Sequence, residues 1–278
     1  MQWLERQPRR RARPWESLPG ARSVVCVAAA YAARSASEGD PALSPGEGRV
    51  ARYARGGDYH EAMDGPLREL ERWIVRNGGG GHDGECAAKR FCDTGPLLER
   101  WFAQSAGLGF IGRHGLLITP RHGSWVALGA IATTAAFEPD APGEGTCGRC
   151  RRCLEACPTG AFAEPGVLDA RRCISNLTIE RRGAFSAKEA AWLGEWIFGC
   201  DVCQEVCPYN KKGAEPAFAA LGETRFAGGR FPLGRPAEIA SNRAFELEFA
   251  GSPLLRPRLN GMRRNSAAVA ENRSEQDT

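Results

Sequence analysis

CGRCRRCLEACP at Cys147–Pro158 and CDVCQEVCP at Cys200–Pro208 are the two stretches that decide the organisation of this chain. With Cys173 between them they carry eight of the eleven cysteines. Three cysteines separated by two residues each can point their sulfurs inward from a tight turn and hold one corner of a [4Fe–4S] cubane. The fourth, placed before proline, is carried away on a short helix and ligates another cluster. The two stretches therefore predict two iron–sulfur clusters.

This spacing, which bacterial two-cluster ferredoxins share, implies that the fourth cysteine of each run crosses to the other cluster. One predicted ligand set is then Cys147, Cys150, Cys153 and Cys207, and the other is Cys173, Cys200, Cys203 and Cys157. In the second set a long loop separates Cys173 from Cys200. Zinc is an alternative, because paired C-x2-C units also bind zinc tetrahedrally, and disulfides are another. Two C-x3-C-P signatures favour cubanes, and nothing marks a secreted chain.

The composition is that of an ordinary globular protein. The chain has 278 residues, enough for one large or two medium domains, with 42% hydrophobic and 25% charged residues and a net charge of +4. Only four of its 37 basic residues are lysine. Arginine suits bidentate contact with phosphate, which would fit a nucleic-acid partner. A codon bias toward arginine explains the same count without any partner.

No apolar run approaches the ~18 residues that a membrane helix needs. Arg9–Arg11 and the apolar run Val24 to Ala33 together suggest a twin-arginine export signal as an alternative. Proline and charged residues separate the two, whereas a signal passes quickly into its apolar segment. We therefore expect a cytoplasmic protein without a membrane contact, and we expect Val24 to Ala30 to be a buried strand.

The N-terminal 140 residues predict alternating strands and helices. Residues 1–22 are expected to be loop, and Ser23–Tyr31 a core strand. A helix follows Asp58, its predicted N-cap, and ends at the glycine run 78–84, a predicted surface loop. Its apolar residues recur at helical spacing: Met63, Leu67, Leu70 and Ile74.

A second helix is predicted after the strand that ends at Phe91. Thr94 can cap it, Pro96 suits its first turn and Gly107 its end. Its predicted apolar face consists of Leu97, Leu98, Trp101 and Phe102, with the two aromatic residues in the core. Two further strands, Leu116–Thr119 and Trp125–Ala132, are joined by a predicted turn at 121–123. Near the C-terminus, Ala237–Phe249 and Asn260–Ala270 are predicted helices, and the tail from Glu271 is expected to be disordered.

These segments predict an α+β fold. Residues 1–140 form a mixed α/β domain, residues 141–212 a ferredoxin-like domain with two clusters, and residues 213–278 a short helical, partly disordered tail. A domain of about 140 residues ahead of the clusters is far more than a simple electron carrier requires. It places Asp93 at a strand-to-helix junction, where α/β folds tend to bind ligands. An aspartate before Thr-Gly-Pro is also a common turn or cap residue.

Several segments outside the cysteines resemble the epoxyqueuosine reductase family, which uses cobalamin and iron–sulfur clusters. They are RARPWESLPGARSVV (11–25), RYARGGDYH (52–60), DTGPLLER (93–100), AGLGFIGRHGLLI (106–118), GSWVALG (123–129), VLDARRCISNLTIE (167–180) and GCDVCQEVCPYN (199–210). They span most of residues 11–210 in the family's order. The resemblance implies a cobalamin-binding α/β domain that precedes the two-cluster domain.

The resemblance also implies roles for individual residues. Asp93 would donate a proton, and burial against the corrin would raise its pKa so that it stays protonated near neutral pH. The reaction would remove the epoxide oxygen of epoxyqueuosine with two electrons and two protons. Further cobalamin contacts would come from His60, Gly107, Gly109, Gly112, Ile118 and Ser175. His60 could equally be a core histidine, and Cys26, Cys86 and Cys92 are assigned no chemistry.

The implied partners are a tRNA anticodon stem-loop, with its base splayed out, and an external electron donor. Six arginines could contact phosphates, although paired arginines are usually just solvated: Arg151, Arg152, Arg171, Arg172, Arg181 and Arg182. We expect a monomer. A corrinoid reductive dehalogenase and a pure electron-transfer protein are the alternatives; an export signal would favour the first and absence of bound corrinoid the second.

Three features depart from the family pattern. Relatives carry a longer segment before the RARP stretch, and many carry helical repeats after the clusters. Ala130 stands where family members usually have glutamate, and the loop 78–84 differs from that of relatives. These departures fit an abbreviated enzyme, a start codon assigned too late, or a chain with weakened cofactor or RNA binding.

Overall fold

The computed structural model describes residues 8–31, 39–79 and 85–276. The strands within these ranges are β1 (Ser23–Ala30), β2 (Glu47–Val50), β3 (Ala88–Phe91), β4 (Phe110–Ile111), β5 (Leu117–Ile118), β6 (Val126–Thr133), β7 (Phe162–Glu164), β8 (Val167–Leu168), β9 (Trp196–Phe198) and β10 (Arg230–Pro232). The helices are α1 (Pro8–Arg11), α2 (Tyr59–Asn77), α3 (Glu99–Ser105), α4 (Arg152–Glu155), α5 (Ile174–Ile179), α6 (Ala187–Trp192), α7 (Val202–Glu205), α8 (Arg235–Glu238), α9 (Asn242–Glu248) and α10 (Arg258–Gln276).

An antiparallel sheet with β6 at its centre, between β1 and β3, is the frame of the N-terminal half. Because side chains alternate across a strand, the sheet presents one apolar set to α2 and the other to α3. Met63, Leu67 and Ile74 of α2 are buried against the first face. Each contributes about 1.5–3 kcal/mol of hydrophobic free energy. The predicted strand from Ser23 is confirmed.

Helix α2 begins and ends where the sequence predicts. The Asp58 side chain accepts a hydrogen bond from the backbone N–H of His60 at 2.9 Å, so it caps the helix. Gly78 follows the last helical residue, Asn77. The remainder of the predicted glycine loop, residues 80–84, lies outside the described residues.

Helix α3 begins later than predicted, at Glu99 rather than after Thr94. Asp93 has a φ of 54°, and the Leu98 N–H donates to the carbonyl of Arg11, so residues 93–98 form an irregular turn. Leu97 is buried, whereas the side chains of Leu98 and Trp101 are 41% and 54% exposed. The prediction that Trp101 belongs to the helix core is therefore wrong.

Other boundaries also differ from the prediction. Strand β5 pairs with β4 rather than with β6, although a turn does close at a bridge between Thr119 and Gly123. The predicted helix 237–249 is interrupted, because Ser241 starts a new helix by capping the Ala244 N–H. Residues expected to be loop before Ser23 include α1, and the tail expected to be disordered is helical as far as Gln276.

A second sheet joins segments that the sequence assigned to three consecutive domains. Strand β2 pairs in parallel with β9 and antiparallel with β10. Helix α10 packs on this sheet through Leu259, Met262 and Val269, all buried. The C-terminal segment is therefore part of a shared core, and the predicted boundaries at 140 and 212 do not separate independent units.

The fold is mixed α/β. None of the helices within the described residues has both the length and the apolar character to cross a membrane.

Candidate active site and cluster ligands

The first predicted thiol set surrounds one small cavity. Its walls are formed by Cys147, Cys150, Cys153 and Cys207 together with His114, Arg152, Pro208 and Tyr209. Cys153 lies on α4, and Cys207 follows α7, so two short helices deliver ligands that are more than 50 positions apart in sequence. Burial and the neighbouring thiols raise the pKa of Cys153. Four sulfurs around one cavity are the donor set that a [4Fe–4S] cluster requires.

The second thiol set also converges. Burial raises the pKa values of Cys173, Cys200 and Cys203. The charge of Cys157 raises the pKa values of Cys173 and Cys203 further, so the fourth thiol of the set acts on the other members. Helices α4 and α7, which carry Cys153 and Cys203, pack against each other, so the two sets are neighbours. Eight thiols in two adjacent groups fit two iron–sulfur clusters.

Backbone N–H groups aim at the sulfurs of the second set. The N–H groups of Ser175 and Asn176 donate to the sulfur of Cys173, and that of Val202 donates to Cys200. The hydroxyl of Thr178 on α5 accepts from the N–H of Gly199 at 3.0 Å, which ties the helix after Cys173 to the loop before Cys200. The long loop of the second set is therefore closed by direct hydrogen bonds. Ser175, predicted as a cofactor contact, lies beside a predicted cluster ligand.

Buried ion pairs connect the N-terminal half to this second loop. Asp201, which is 1% exposed, accepts from the backbone N–H of Arg52 at 2.7 Å, and burial raises its pKa to about 6. The Arg52 and Arg55 guanidinium groups pair with Asp40. Buried charges are tolerated only when they are paired and hydrogen-bonded, so this network fixes the relative position of the two halves.

Asp93 lies in the irregular turn between β3 and α3. Its Oδ2 atom accepts a hydrogen bond from the Tyr59 hydroxyl at 2.7 Å. Its backbone N–H donates to Glu99 Oε1 at 2.7 Å, which holds the left-handed conformation that L-residues other than glycine adopt at a cost. Burial raises the pKa of Glu99 to about 7. The Asp93 side chain is 59% exposed, so it can reach a bound molecule.

His60 is the charged partner of Asp93. Its Nε2 atom lies 3.7 Å from Asp93 Oδ2, and its Nδ1 atom lies 2.7 Å from Asp58 Oδ1. The two carboxylates, Asp58 foremost, raise the pKa of His60 to about 9. His60 in turn lowers the pKa of Asp93, and the Tyr59 hydroxyl acts in the same direction. The expectation of a raised Asp93 pKa is therefore wrong for the chain by itself, because the adjacent imidazolium outweighs burial.

Aromatic rings connect this pair to the second thiol set. Tyr59 packs edge-on against Tyr53, with ring centroids 5.9 Å apart, and Tyr53 packs against Phe198 at 6.0 Å. Tyr53 and Cys200 both pack against the buried cluster of Ala51, Ile174 and Trp196. Tyr59 and Tyr53 therefore connect Asp93 to the apolar cluster on which a predicted cluster ligand packs.

The glycine loop is explained by contacts within the chain. A Cβ atom at Gly109 would lie 2.1 Å from the Ile118 carbonyl oxygen, and one at Gly112 would lie 2.6 Å from the Ile118 side chain. A Cβ at Gly107 would lie 2.9 Å from the Ala141 carbonyl oxygen. Ile118 itself packs with Phe110 beside Cys207. Backbone packing thus requires glycine at Gly107 and Gly109, whereas Gly112 faces side chains, and the contact of all three with cobalamin stays a prediction.

The three remaining cysteines lie around the central sheet. Burial raises the pKa values of Cys26 and Cys92 to about 12, so both are protonated thiols at neutral pH. Cys92 donates to the Leu128 carbonyl, and Cys86 contacts the Thr133 hydroxyl. Neither the structure nor the sequence gives these residues a chemical role.

Arginines line a cavity of about 550 Å³ at the start of α10. Its walls are Arg181, Arg182, Gly183, Ala184, Asn242, Pro257, Arg258, Asn260, Gly261 and Arg264. Arg264 is held by the carbonyls of Arg181, Gly183 and Leu177, and burial lowers its pKa to about 10. Arg256, which precedes the lining residue Pro257 in sequence, adds a positive charge that lowers the pKa of Asp93.

Three of the other four arginines predicted to meet phosphate have local partners, and the fourth, Arg152, lines the cavity of the first thiol set. Arg151 lies 4.0 Å from Glu155, and Arg171 pairs with Asp169. Arg172 donates to the Thr159 carbonyl. Sequence reasoning also missed the roles of Glu99 and Tyr59, and it missed Arg258 and Arg264 in the α10 cavity.

The glutamate in DTGPLLER was the only sequence signal for Glu99. The roles of Tyr59, Arg258 and Arg264 depend on contacts between distant segments, which leave no signal in the sequence.

The fold and the thiol sets define a two-cluster iron–sulfur protein with an α/β domain that carries an aspartate–histidine pair. Two family models match it: "4Fe-4S double cluster binding domain" over residues 146–210 and "Epoxyqueuosine reductase QueG, DUF1730" over residues 11–94. The first match supports iron–sulfur clusters rather than zinc. The chain is 41% identical over 275 residues to the epoxyqueuosine reductase of Gloeobacter violaceus, covering 97% of this chain and 82% of that one. The chain belongs to the epoxyqueuosine reductase family.

Other epoxyqueuosine reductases are also similar to this chain in sequence and structure. The chain is 36% identical to the Synechocystis enzyme, covering 96% of this chain and 89% of the relative, and 40% identical to the Escherichia coli enzyme, where the shares are 76% and 54%. A crystal structure of epoxyqueuosine reductase with an epoxyqueuosine-modified tRNA stem loop matches with a TM-score of 0.82 and 35% identity, over 92% of this chain and 66% of that one. A Bacillus subtilis epoxyqueuosine reductase, with its catalytic aspartate loop swung out of the active site, matches with a TM-score of 0.80 and 34% identity, over 94% and 67%.

Proposed function

We propose that this chain reduces epoxyqueuosine to queuosine in the anticodon loop of tRNA, using two [4Fe–4S] clusters and cobalamin. The reaction consumes two electrons and two protons and gives an alkene and water. The observation that carries the proposal is the Asp93–His60 pair in a member of this family, joined through Tyr59 and Tyr53 to the apolar cluster on which Cys200 packs. Cys147, Cys150, Cys153 and Cys207 would hold one cluster, and Cys157, Cys173, Cys200 and Cys203 the other.

Two buried polar atoms support a cobalamin site between Asp93 and the second cluster. His60 Nε2, beside Asp93, and Asn176 Oδ1, next to Ser175, have no hydrogen-bond partner among the described residues. Buried polar atoms of this kind require a partner, and the rim of a corrin carries amide groups that donate and accept. Asp93, His60 and Asn176 would therefore hold the cofactor. When bound, cobalamin supplies the cobalt centre that converts single electrons from the clusters into reduction of the epoxide.

The protein's own residues supply the proton. His60 retains a proton at neutral pH because its pKa lies near 9. Asp93 receives that proton across 3.7 Å and passes it to the departing epoxide oxygen, while the Tyr59 hydroxyl holds the carboxyl group in place. Because each turnover consumes two protons and the pair stores one, the pair is reloaded from solvent between the two protonations, which the 59% exposure of the Asp93 side chain allows. An external electron donor is required.

The arginine-lined cavity at the start of α10 has the charge needed to bind a backbone phosphate of the tRNA. It contains no carboxylate in its lining, and it includes the first residues of the 19-residue helix α10, whose free N–H groups favour an anion. Arg258 is exposed and has no hydrogen-bond or ion-pair partner among the described residues, unlike Arg264. A backbone phosphate held here would bring a neighbouring nucleotide toward Asp93.

The catalytic assignment is tested by assaying Asp93→Asn on epoxyqueuosine-bearing tRNA after anaerobic purification with cobalamin. We expect about eight iron and one cobalt per chain in both proteins. The variant should lose at least about 100-fold in turnover, because a positioned general acid contributes at least that much. Glu69→Gln, on the exposed face of α2, is the control. Full activity in Asp93→Asn would remove Asp93 from the mechanism, and eight iron without cobalt would indicate an electron carrier.

The tRNA contact is tested by measuring stem-loop affinity against salt concentration for Arg258→Ala. Loss of one phosphate contact should weaken binding and reduce the slope of log affinity against log salt by about one. Arg72→Ala, an exposed arginine of α2, should behave as the unmodified chain. Identical slopes for all three proteins would exclude Arg258 from the RNA surface.

A further inference from the structure

His114 is a buried histidine that the proposed mechanism does not use. It lies in the turn between β4 and β5 and is 4% exposed. Its imidazole forms part of the wall of the cavity that the first thiol set surrounds. The preceding residue already serves that set, because the Arg113 backbone N–H donates to Cys147 Sγ at 3.3 Å.

The hydrogen bonds of His114 define which ring nitrogen carries the proton. Its Nδ1 atom accepts from the Leu116 backbone N–H at 3.2 Å, so Nδ1 has no hydrogen of its own. A neutral imidazole must then carry its hydrogen on Nε2. That Nε2–H group is buried and has no partner among the described residues. A buried donor without an acceptor is rare in proteins, so an acceptor belongs in the cavity that this side chain lines.

We propose that His114 Nε2–H donates a hydrogen bond to a sulfur of the iron–sulfur cluster held by Cys147, Cys150, Cys153 and Cys207, and thereby raises the reduction potential of that cluster. A donor directed at a cluster sulfur stabilises the extra negative charge of the reduced state. The second set has its own donors, because the Ala161 backbone N–H donates to Cys157 Sγ at 3.3 Å and the Thr159 hydroxyl lies 3.5 Å from the same sulfur. His114 lines the cavity of the first set, so its hydrogen bond adjusts that cluster relative to the other. This inference rests on the proposed cluster ligation.

Two variants separate the hydrogen bond to the cluster from the packing of the turn. In His114→Asn the side-chain oxygen can still accept from Leu116, but the amide is too short to reach the position of Nε2. In His114→Gln the amide nitrogen extends to that position and can donate. Both variants are polar and smaller than or similar to histidine, so neither overfills the cavity.

The measurement is a redox titration of the anaerobically purified protein, without cobalamin or tRNA, followed by electron paramagnetic resonance. We expect one of the two cluster potentials to fall in His114→Asn, with an about tenfold smaller equilibrium constant for reduction, or ~59 mV for one electron. His114→Gln should recover most of the difference, and the other cluster should not change. Loss of iron in His114→Asn that His114→Gln restores would also support the donor role.

Unchanged potentials at full iron content in His114→Asn would overturn the proposal, and so would equal loss of iron in both variants. Failure of the proposed ligation is a separate result, since it would appear as fewer than about eight iron in the protein with His114 intact.

Discussion

At the scale of single residues, Asp93 and His60 behave as one titrating pair. The charged imidazolium lowers the pKa of the carboxyl group, and two carboxylates raise the pKa of the imidazole to about 9. Protons on such a pair are released in steps that belong to both groups. In the chain without cofactor, the exchangeable proton therefore lies on the imidazole of His60, and its Nε2 atom is 3.7 Å from the Asp93 carboxyl group.

This pair makes the reaction pH-dependent on the alkaline side. Because the His60 pKa is raised from 6.5 to about 9, we expect kcat/KM to decrease as the pH rises through about 9. The same proton contributes stability that is complete below about 6.5 and is lost as the pH rises through 9. The measurement is a pH–rate profile of the unmodified chain and of His60→Asn. A variant that retains the alkaline limb unchanged would assign that limb to another group.

Local residue roles could be predicted, and distant ones could not. The cap by Asp58 follows from neighbouring residues, since the side chain bonds an N–H two positions away. The contact between His60 and Asp93 joins positions 33 apart, and it forms only once α2 packs beside β3. The resemblance identified both residues. Whether the pKa of Asp93 is raised or lowered depends on the distance between Asp93 and His60, and sequence spacing does not give that distance.

At the scale of elements, α10 connects the C-terminal segment to the second thiol set. Asn265 is fully buried, and its amide donates to the carbonyls of Thr178 on α5 and Ile197 on β9, at 2.8 and 2.9 Å. These two elements lead directly from Cys173 and into Cys200. One side chain thus fixes the helix and the strand on which two cluster ligands depend.

We therefore expect Asn265→Ala to destabilise the protein. It leaves two buried carbonyls without donors, and we expect the free energy of unfolding to decrease by about 2–4 kcal/mol. We also expect iron to be lost from one cluster before the other. Thermal unfolding and iron counts check both effects, with the exposed Glu271→Ala on the same helix as the control. A melting temperature equal to that of the control would show that the amide is dispensable.

Elements with a strong apolar period were predictable, and irregular ones were not. The apolar spacing of α2 identified it with its ends, whereas the start of α3 was misplaced because Thr94 and Pro96 imitate a cap and a first turn. Asp93 adopts a positive φ there, held by Glu99, and this conformation delays the helix. The end of α10 was missed because its last residues are polar, and polarity alone does not distinguish an exposed helix from a disordered tail.

At the scale of the whole molecule, three distant segments share one sheet. Strand β2 lies between β9 and β10, and its Val50 is fully buried with Phe198 and Phe231. Sequence order suggested three consecutive domains, because the cysteine motifs have obvious limits. Strand pairing across about 180 positions leaves no local pattern, so this arrangement could not be predicted from composition or spacing.

Removing the C-terminal segment tests this shared core. A chain that ends at residue 212 lacks β10 and α10 and would expose the buried residues Ile197 and Phe198. We expect it to aggregate or to retain less than half of the iron. A chain that ends at residue 274 removes only the last two residues of α10 and the two residues after it, and it should match the intact protein in iron content. A soluble, fully iron-loaded 212-residue chain would show that the two-cluster region folds independently.

The position of β10 and α10 also sets an order of events during synthesis. Strand β9 and the cysteine loop that follows it emerge from the ribosome before the segments that cover them. Until α10 has been made, Asn265 cannot hold Thr178 and Ile197, and the second thiol set lacks the two hydrogen bonds by which that side chain joins α5 to β9. We therefore expect the cell's iron–sulfur assembly machinery to deliver that cluster only after α10 has been synthesised.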